Sequence, residues 1–349
     1  MARIKRFLLS NNKGTIVSQH LALPYVFGYP SSASLEISNR CNLRCPVCEN
    51  KFSQRPKGYM SLAHCRIILD ELGPHLRDLE IAGLGEAFLN PDIYAIIRYM
   101  RRVNPKTYVY VDTNGQVLDV DRLFEAPPDE LVFAVDGLDQ TTYEKYRVKG
   151  RLEAVIHHLK ACIAKKRELS SPLPAIKIKF ICMKHNQHQV DQVPQFCWEL
   201  GADDYRIELF TSRTVQHAQE FMPTLPEYQK YAADALEHGA LIPHMEQLST
   251  PCPMLWGHAN IYWDGEVVPC CTDYDSQFSW GNIFAQGSFW KIWNGPRARA
   301  FRTMHRSPSY RNTLDICRTC YLTNTRWPQN RMLLAKLAKS GRYGYSQKS

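Results

Sequence analysis

Hydrophobic and polar positions alternate with two different periods along the first two thirds of the chain. Apolar positions spaced three and four residues apart predict amphipathic helices near 61–73, 92–103, 151–168 and 189–200. Short β-branched or apolar runs predict six strands between them: Ala33–Ser38, Leu79–Ala82, Tyr108–Asp112, Leu131–Asp136, Ile176–Cys182 and Tyr205–Phe210. Strand–helix alternation indicates right-handed βαβ units and a parallel sheet. Six units are too few for a closed eight-stranded barrel, so we expect an α/β fold, a partial (β/α)6 TIM-like barrel with active residues at the carboxyl ends of its strands.

The residue composition of the chain changes after about residue 235, and predicted helices and strands become fewer. Residues 252–325 are rich in Cys, Trp, Gly and Asn, with short strand candidates at Ala259–Trp263 and Glu266–Pro269. The pair Asp264–Gly265 between these two runs is a strong hairpin signal. Such a segment has too few regular elements to fold on apolar burial alone. Bound metal, held by its cysteines, would supply the missing stability. We therefore expect a small C-terminal cysteine-rich α+β domain.

Four segments follow from these patterns. We expect an N-terminal extension, the partial barrel, the cysteine-rich domain and a basic tail, with the ranges 1–30, 31–235, 236–327 and 328–349.

The cysteine content favours metal binding. The 349 residues include 12 cysteines, no long uncharged apolar run, and a basic N-terminus without a sustained apolar stretch or a cleavage site. We therefore expect a cytoplasmic protein with neither a transmembrane helix nor a secretory signal. In that reducing compartment cysteines are more typical of metal sites than of disulfides.

The net charge of +9 is concentrated near the C-terminus. Residues 291–349 hold 13 Lys and Arg but a single acidic residue, Asp315. Such a tail could contact an anionic partner, such as nucleic acid, a lipid surface or an acidic substrate. A solvated basic face without a ligand is the alternative.

The first predicted strand leads directly into Cys41-x3-Cys45-x2-Cys48. Three thiolates on one loop can converge on one iron–sulfur cube and leave its fourth iron without a protein ligand, open to an exogenous molecule. A structural zinc site would take a fourth donor. His64 and Cys65 are close in sequence, so a zinc site remains the alternative.

This cysteine triplet at the end of a first strand resembles the radical S-adenosylmethionine (SAM) superfamily, and the resemblance continues downstream. Leu84-Gly85-Glu86-Ala87 resembles the family's Gly-Gly-Glu-Pro motif, which binds the SAM amino group, with Leu84 and Ala87 as departures. Thr113-Asn114-Gly115 looks like the turn near the ribose, and Asn-Gly is also typical of any turn. Ala134-Val135-Asp136-Gly137 stands where the family has Ser-x-Asp-Gly, without the hydroxyl. The resemblance implies that the SAM contacts are Val47, Gly85, Glu86, Thr113, Asn114, Asp136 and Arg147.

Two of these residues have defined implied roles. The backbone of Val47 would touch adenine, and Arg147 would pair with the SAM carboxylate, a role that suits a guanidinium fork. A helix-surface arginine is the alternative for Arg147. The implied chemistry is that SAM chelates the open iron and a flavodoxin- or ferredoxin-type donor supplies one electron. Methionine then leaves, and a 5′-deoxyadenosyl radical abstracts hydrogen from the substrate.

A second cysteine set reads C-x17-C-x46-C-x2-C and consists of Cys252, Cys270, Cys317 and Cys320. Four ligands in this arrangement can close one tetrahedral zinc site or one fully ligated cube. With its interspersed Trp and Asp-Gly residues, the segment looks like a SPASM/Twitch auxiliary-cluster domain. Since no cysteine follows Cys320, it is more similar to the single-cluster Twitch form. The resemblance implies a second, auxiliary [4Fe-4S] cluster.

The remaining cysteines have several interpretations. Cys271 would point away from Cys270 in an extended chain, because neighbouring side chains alternate. It could replace Cys270 as a ligand, donate a hydrogen atom or be inert. Cys182, at the end of the fifth strand, is a candidate hydrogen donor facing the active region or a buried core residue. We expect three further cysteines to be core residues: Cys65, Cys162 and Cys197. Candidate acids or bases for the substrate are Asp273, Asp275, Glu208 and His185.

The resemblance implies a radical SAM oxidoreductase assisted by an auxiliary cluster, which dehydrogenates or epimerises a hydroxylated small molecule. A peptide or protein maturase of the SPASM type is the second hypothesis. Only 40 residues precede Cys41, too few for the usual fused leader-binding domain. A third hypothesis, from another class, is a non-catalytic zinc protein that binds nucleic acid.

Overall fold

The computed structural model describes residues 13–243, 251–318 and 320. The chain divides into two compact units. Among the described residues, the first comprises 13–41, 52–111 and 251–318, and the second comprises 42–51, 112–243 and 320. The predicted basic tail, 328–349, lies outside the described residues.

Strands and helices alternate through the described part of the chain. The strands are β1 Ser32–Leu35, β2 Asp78–Ile81, β3 Tyr108–Thr113, β4 Glu130–Ala134, β5 Ala175–Cys182, β6 Asp204–Leu209, β7 His258–Ile261, β8 Glu266–Val268 and β9 Gly281–Asn282. The helices are α1 Lys13–His20, α2 Leu62–Leu72, α3 Ile93–Val103, α4 Val120–Glu125, α5 Gln140–Tyr146, α6 Leu152–Glu168, α7 Val193–Leu200, α8 Val215–Phe221, α9 Ala233–Glu237, α10 Met254–Gly257, α11 Ile283–Gln286, α12 Phe289–Trp293, α13 Pro296–Met304, α14 Pro308–Thr313 and α15 Asp315–Arg318. All six predicted barrel strands are present.

The sheet of the first unit has the strand order β3-β2-β1-β7-β8-β9. Strand β1 pairs in parallel with β2 on one side and with β7 on the other. Strands β7, β8 and β9 are antiparallel neighbours, and the turn between β7 and β8 contains the predicted Asp264–Gly265 pair. The hairpin of the cysteine-rich segment therefore extends the sheet that β1 and β2 begin.

The second unit contains a parallel run of β4, β5 and β6. Strand β5 shows how the sequence divides this sheet into two faces. Ile176, Ile178 and Phe180 are fully buried, whereas Lys177 and Lys179, on the opposite face, are half-buried. Burying each such apolar side chain stabilises the fold by about 1.5–3 kcal/mol. Charged side chains thus share one face of this sheet, and the core occupies the other.

The helices bury the cysteines that were expected to be structural. Cys65 on α2, Cys162 on α6 and Cys197 on α7 are all fully buried, which confirms the core prediction for the three residues. Short helices make up most of those that were not predicted, among them α4 and α5 between β3 and α6. No helix in the described ranges is both long and apolar enough to cross a membrane.

Candidate active site

The loop that carries two of the predicted cluster cysteines docks on the chain after α5 in the second unit. The Arg44 amide donates to the carbonyl of Val148 at 3.0 Å, and the Cys48 amide donates to the carbonyl of Cys45 at 3.2 Å. Cys45 is buried, whereas Cys48 is partly exposed. Val47, between them, is also buried. These backbone bonds fix a tight turn and hold the Cys45 thiol inside the unit.

Arg147 links this loop to the end of β4. Its Nε donates to Oδ2 of Asp136 at 2.6 Å, and its Nη1 lies 4.0 Å from the sulfur of Cys45. Asp136 is fully buried, and its Oδ1 accepts from the amide of Ile181 at 2.7 Å. Asp136 and Arg147, each expected to contact SAM, therefore pair with each other. The same pairing places the Arg147 guanidinium beside the Cys45 thiol, a predicted cluster ligand.

Burial and charge oppose each other at this cysteine. Burial raises the pKa of Cys45, and the neighbouring Arg147 only partly offsets that rise. Burial lowers the pKa of Arg147, but Asp136 and Cys45 outweigh it, so this pKa lies above its ordinary value. The guanidinium is therefore charged and offsets part of the cost of ionising the buried Cys45 thiol, whose thiolate is the form that binds iron.

The Thr113-Asn114-Gly115 turn also contacts the cysteine loop within the second unit. The Gly115 amide donates to Thr113 Oγ1 at 3.0 Å, and the Asn114 amide nitrogen Nδ2 donates to Asn42 Oδ1 at 2.8 Å. Gly115 has φ +69°, and a Cβ there would lie 2.9 Å from side-chain atoms of Phe133. Only glycine suits this position. The turn thus presents Asn114 next to the loop that follows Cys41.

The Gly85-Glu86 motif packs on the chain leading to Cys41 in the first unit. The Glu86 amide donates to the carbonyl of Arg40 at 2.8 Å. A Cβ at Gly85 would lie 2.3 Å from the carbonyl oxygen of Ser38, so a larger residue would separate the two segments. Glu86 is buried, and its Oε1 accepts from the amide of Phe88 at 3.2 Å.

A buried ion pair that the sequence analysis missed lies beside this motif. Nη2 of Arg55 is 2.8 Å from both carboxylate oxygens of Glu36, and Nε donates to the carbonyl of Tyr274 at 2.7 Å. The guanidinium lies over the Tyr262 ring, 3.9 Å from its centroid. The Leu84 amide also donates to Glu36 at 3.1 Å. Arg55 therefore joins the residue that follows β1 to the loop that follows Cys270 and Cys271, all within the first unit.

The second cysteine set starts in the same unit. Cys252, Cys270 and Cys317 are partly exposed, unlike the core cysteines. His305 Nε2 lies 3.8 Å from the sulfur of Cys317. Cys320, also partly exposed, belongs to the second unit.

The expectation that Cys271 points away from Cys270 is wrong. The chain turns here, because the Asp273 amide donates to the carbonyl of Cys270 at 3.1 Å. Alternation of faces applies to extended chains and not to a turn. A hydrogen bond from Cys271 lowers the pKa of the Cys270 thiol to about 7, against burial and with help from Thr272. The pair is thus poised for ionisation near neutral pH.

Three of the candidate acids and bases accept hydrogen bonds or form an ion pair with residues close to them in the structure. Both carboxylate oxygens of Asp273 accept backbone amides, from Gln277 and Phe278, at 2.9 Å. Asp275 Oδ1 accepts from Ser53 Oγ at 2.7 Å. Glu208 Oε1 lies 3.1 Å from Arg206 Nε.

Cys182 and His185 lie close together in sequence after β5. Cys182 lies on the buried face with Phe180, opposite Lys179, and burial raises its pKa to about 12. It therefore does not share the charged face of β5. Burial lowers the pKa of His185.

The donor chemistry suits iron–sulfur clusters. No three Cys, His, Asp or Glu side chains within the described ranges are grouped to hold one metal ion. Thiols beside a guanidinium, as at Cys45, fit a cluster held by thiolates.

Two family models match the chain. Residues 35–177 match the radical SAM superfamily, and residues 252–321 match SPASM, an iron-sulfur cluster-binding domain. The predicted cofactors, iron–sulfur clusters and SAM, are the ones these domains bind, which confirms that prediction.

Relatives and solved structures agree with these matches. The chain is 24% identical over 311 residues to the tungsten-containing aldehyde ferredoxin oxidoreductase cofactor-modifying protein of Pyrococcus furiosus, over 80% of this chain and 85% of that protein. It is 25% identical over 287 residues to the antilisterial bacteriocin subtilosin biosynthesis protein AlbA of Bacillus subtilis, over 77% of this chain but only 61% of AlbA. The structure of anSMEcpe with bound AdoMet superposes with a TM-score of 0.59 at 15% identity, over 90% of this chain and 98% of that one.

The fold and the two matched domains define an enzyme that carries iron–sulfur clusters and uses SAM. The chain belongs to the radical SAM superfamily and has a C-terminal SPASM-type domain. The predicted α/β partial barrel with a C-terminal auxiliary-cluster domain is confirmed, and the non-catalytic hypothesis is wrong.

Proposed function

We propose that the chain is a radical SAM oxidoreductase that removes hydrogen from a hydroxylated substrate. Arg147 carries this proposal, because one guanidinium bonds to the buried Asp136 and stands 4.0 Å from the Cys45 sulfur. When bound, SAM and its cluster would supply a radical able to take a hydrogen atom from the substrate, and the auxiliary cluster would supply an acceptor for the second electron, while a base would accept the proton.

The side chains around the cluster loop would hold the SAM-binding cluster in two ways, as ligands and as charges beside the ligands. Cys41, Cys45 and Cys48 would ligate the SAM-binding cluster, and Arg147 would reduce the cost of forming a thiolate at Cys45. Asp136 holds the Arg147 guanidinium in an orientation that keeps its Nη1 near the sulfur of Cys45. Burial of Asp136 excludes water from the ion pair and strengthens it.

The SAM molecule itself would contact residues from several strand ends. Glu86 offers a buried carboxylate to the SAM amine, and Asn114 offers a side-chain amide at a turn fixed to Asn42. Val47, Gly85 and Thr113 complete the set through backbone or hydroxyl contacts.

The auxiliary cluster would be held by Cys252, Cys270, Cys317 and Cys320. The partial exposure of these four cysteines supports this, since every cysteine on the helices α2, α6 and α7 is buried. We assign Cys270 rather than Cys271 to this set because Cys270 stands at the position that the resemblance to the SPASM/Twitch domain implies for a ligand.

Peptide maturation is the second candidate, favoured by the likeness to AlbA, a bacteriocin biosynthesis protein. The first candidate is favoured by the charged side chains on the face of β5 and β6 opposite the core, which suit a small polar substrate.

The test is anaerobic incubation of the reconstituted protein with SAM and dithionite. We expect 5′-deoxyadenosine and methionine in equal amounts. A protein with full cluster content that forms neither product would refute the proposal.

A further inference from the structure

Hydrogen bonds join two loops of the first unit, and each loop follows a different cysteine set. Asp275 Oδ1 accepts from Ser53 Oγ at 2.7 Å and from the amide of Gln54 at 3.0 Å. Arg55 Nε donates to the carbonyl of Tyr274 at 2.7 Å. The segment 53–55 follows the first cysteine triplet, and the pair 274–275 follows the two adjacent cysteines of the second set. We call these five residues the bridge: Ser53, Gln54, Arg55, Tyr274 and Asp275.

Asp273 closes the loop on the side of the second cysteine set. Its amide donates to the carbonyl of Cys270 at 3.1 Å, and its carboxylate accepts the amides of Gln277 and Phe278 at 2.9 Å. Between these ties Ser276 has φ +57°, a left-handed conformation that a residue with a side chain adopts only where its surroundings hold it. The bridge residues of this loop therefore keep their places only while both ends of the loop are fixed, and the proposed cluster ligand Cys270 is one end.

On its other side the bridge reaches the proposed SAM-amine motif through a buried carboxylate. Nη2 of Arg55 is 2.8 Å from both carboxylate oxygens of Glu36, and Glu36 Oε2 accepts from the amide of Leu84 at 3.1 Å. Leu84 directly precedes the Gly85-Glu86 motif. A Cβ at Gly83 would lie 2.5 Å from Cγ of Glu36, so the two chains are in close contact here. The carboxylate of Glu36 therefore fixes the point at which the motif begins.

Arg55 connects these two sides through one rigid group. The Arg55 and Glu36 side chains are 5% and 2% exposed, and a buried carboxylate that loses its counter-charge is costly. Burial raises the pKa of Glu36, against the opposing effect of Arg55. The guanidinium is a planar fork of fixed geometry, so a displaced Tyr274 carbonyl would draw Arg55 away from Glu36. Two sites that bias the same element change each other's affinity.

We propose that Arg55 is a positioning residue that couples SAM binding to the auxiliary cluster. With that cluster bound, the loop keeps Arg55 on Glu36 and the SAM-amine motif in its binding position, and without the cluster SAM binds more weakly. The inference rests on the proposed function, which supplies both the SAM contacts and the cluster ligands. It gives Asp275, a candidate acid or base in the sequence, a place in the bridge instead.

A double-mutant cycle in the unreduced enzyme tests the coupling. The SAM dissociation constant is measured by equilibrium dialysis with labelled SAM for wild type, Arg55→Met, Cys317→Ala and the double variant, each after anaerobic reconstitution. Cys317→Ala removes a proposed cluster ligand on α15, outside the bridge and its loop. We expect each single variant to weaken SAM binding about tenfold. The double variant should also lose about tenfold, where independent effects would multiply to about a hundredfold.

Iron analysis separates loss of coupling from loss of a cluster. Arg55→Met should keep about eight irons per chain, so its weaker SAM binding does not come from a missing cluster. Cys317→Ala should keep about four irons, those of the SAM-binding cluster.

Asp275→Ala tests the bridge from its exposed side, and Asp70→Ala on α2 is its matched control. Both carboxylates are exposed and accept a side-chain hydroxyl, Asp275 from Ser53 and Asp70 from Tyr99. Asp275→Ala should weaken SAM binding about threefold, because one hydrogen-bonded part of the bridge is lost, and Asp70→Ala should leave it unchanged. If Arg55→Met fails to fold, Asp275→Ala takes its place in the cycle, and its loss should vanish once the auxiliary cluster is absent.

The results distinguish coupling from a purely structural ion pair. A bridge that only stabilises the fold would give wild-type SAM affinity in Cys317→Ala, or losses that multiply in the double variant. Either result, or equal SAM affinity of Asp275→Ala and Asp70→Ala, would overturn the inference and leave the proposed function standing. A wild-type enzyme with full cluster content that binds SAM but forms no 5′-deoxyadenosine with dithionite would instead count against the proposed function.

Discussion

The guanidinium of Arg147 and the carboxylate of Asp136 form an ion pair that connects the end of β4 to the loop of Cys45. Both side chains are largely buried, with 14% and 0% exposed. Such a pair is costly to break from one side, because the remaining charge stays buried without its partner.

Asp136→Asn should therefore destabilise the protein, since it keeps the shape but removes the counter-charge of Arg147. We expect the free energy of unfolding to fall by about 3 kcal/mol, measured by urea denaturation. The control is Glu153→Gln, which removes a carboxylate 3.1 Å from the guanidinium of Arg151 where both side chains are largely exposed. That control should show no measurable change. Equal stability of the two variants would contradict the assigned role of Asp136.

The two adjacent cysteines of the second set should behave differently. Cys270→Ala should lose the auxiliary cluster, about four irons per chain, yet keep uncoupled 5′-deoxyadenosine formation. Cys271→Ala should keep full iron, because Cys270 is the proposed ligand of the pair. Iron and sulfide analysis measures both variants. Loss of iron in Cys271→Ala alone would reverse the ligand assignment.

Stability should fall in mild acid because of a buried histidine. His258 lies between Ser32 Oγ at 2.8 Å and Ser34 Oγ at 3.0 Å, and burial lowers its pKa from 6.5 to about 4. The unfolded chain therefore takes up the proton first as the pH falls. The stabilisation is complete above about pH 6.5 and is lost towards pH 4, by about 3 kcal/mol in total.

Urea unfolding between neutral pH and about pH 4.5 measures this dependence. His258→Gln removes one titrating group and should reduce the slope in this window, while His305, whose pKa burial also lowers to about 4, still contributes. His20→Gln, at an exposed histidine on α1, should leave it unchanged. A wild-type curve that stays flat would contradict the neutral state of His258.

The strands could be read from the sequence because their apolar runs are short and regular. In Ala175–Cys182 strict alternation separates Ile178 from Lys179, and the structure keeps that separation. The short helices α4 and α5 were missed because six or seven residues give little periodicity. Their N-caps, Asp119 and Asp139, were the available signal, since each side chain accepts a backbone amide of the first turn.

The polar contacts of the site were less predictable. Arg55 and Glu36 are separated by 19 positions, and Lys179 and Asp112 by 67, so no local pattern joins them. The lysines within an alternating strand were the one hint, because charged residues on an inner face need partners. The turn at Cys270 and Cys271 was missed because the residues themselves suggested an extended chain.

The most direct test of the account compares Cys45→Ala with Cys162→Ala. Cys45 lies beside Arg147 in the cluster loop, and Cys162 is a buried core cysteine on α6. After anaerobic reconstitution, wild type and Cys162→Ala should hold about eight irons per chain and form 5′-deoxyadenosine with SAM and dithionite. Cys45→Ala should lose about half the iron and all 5′-deoxyadenosine. Full SAM cleavage by Cys45→Ala would contradict the central claim that this loop holds the SAM-binding cluster.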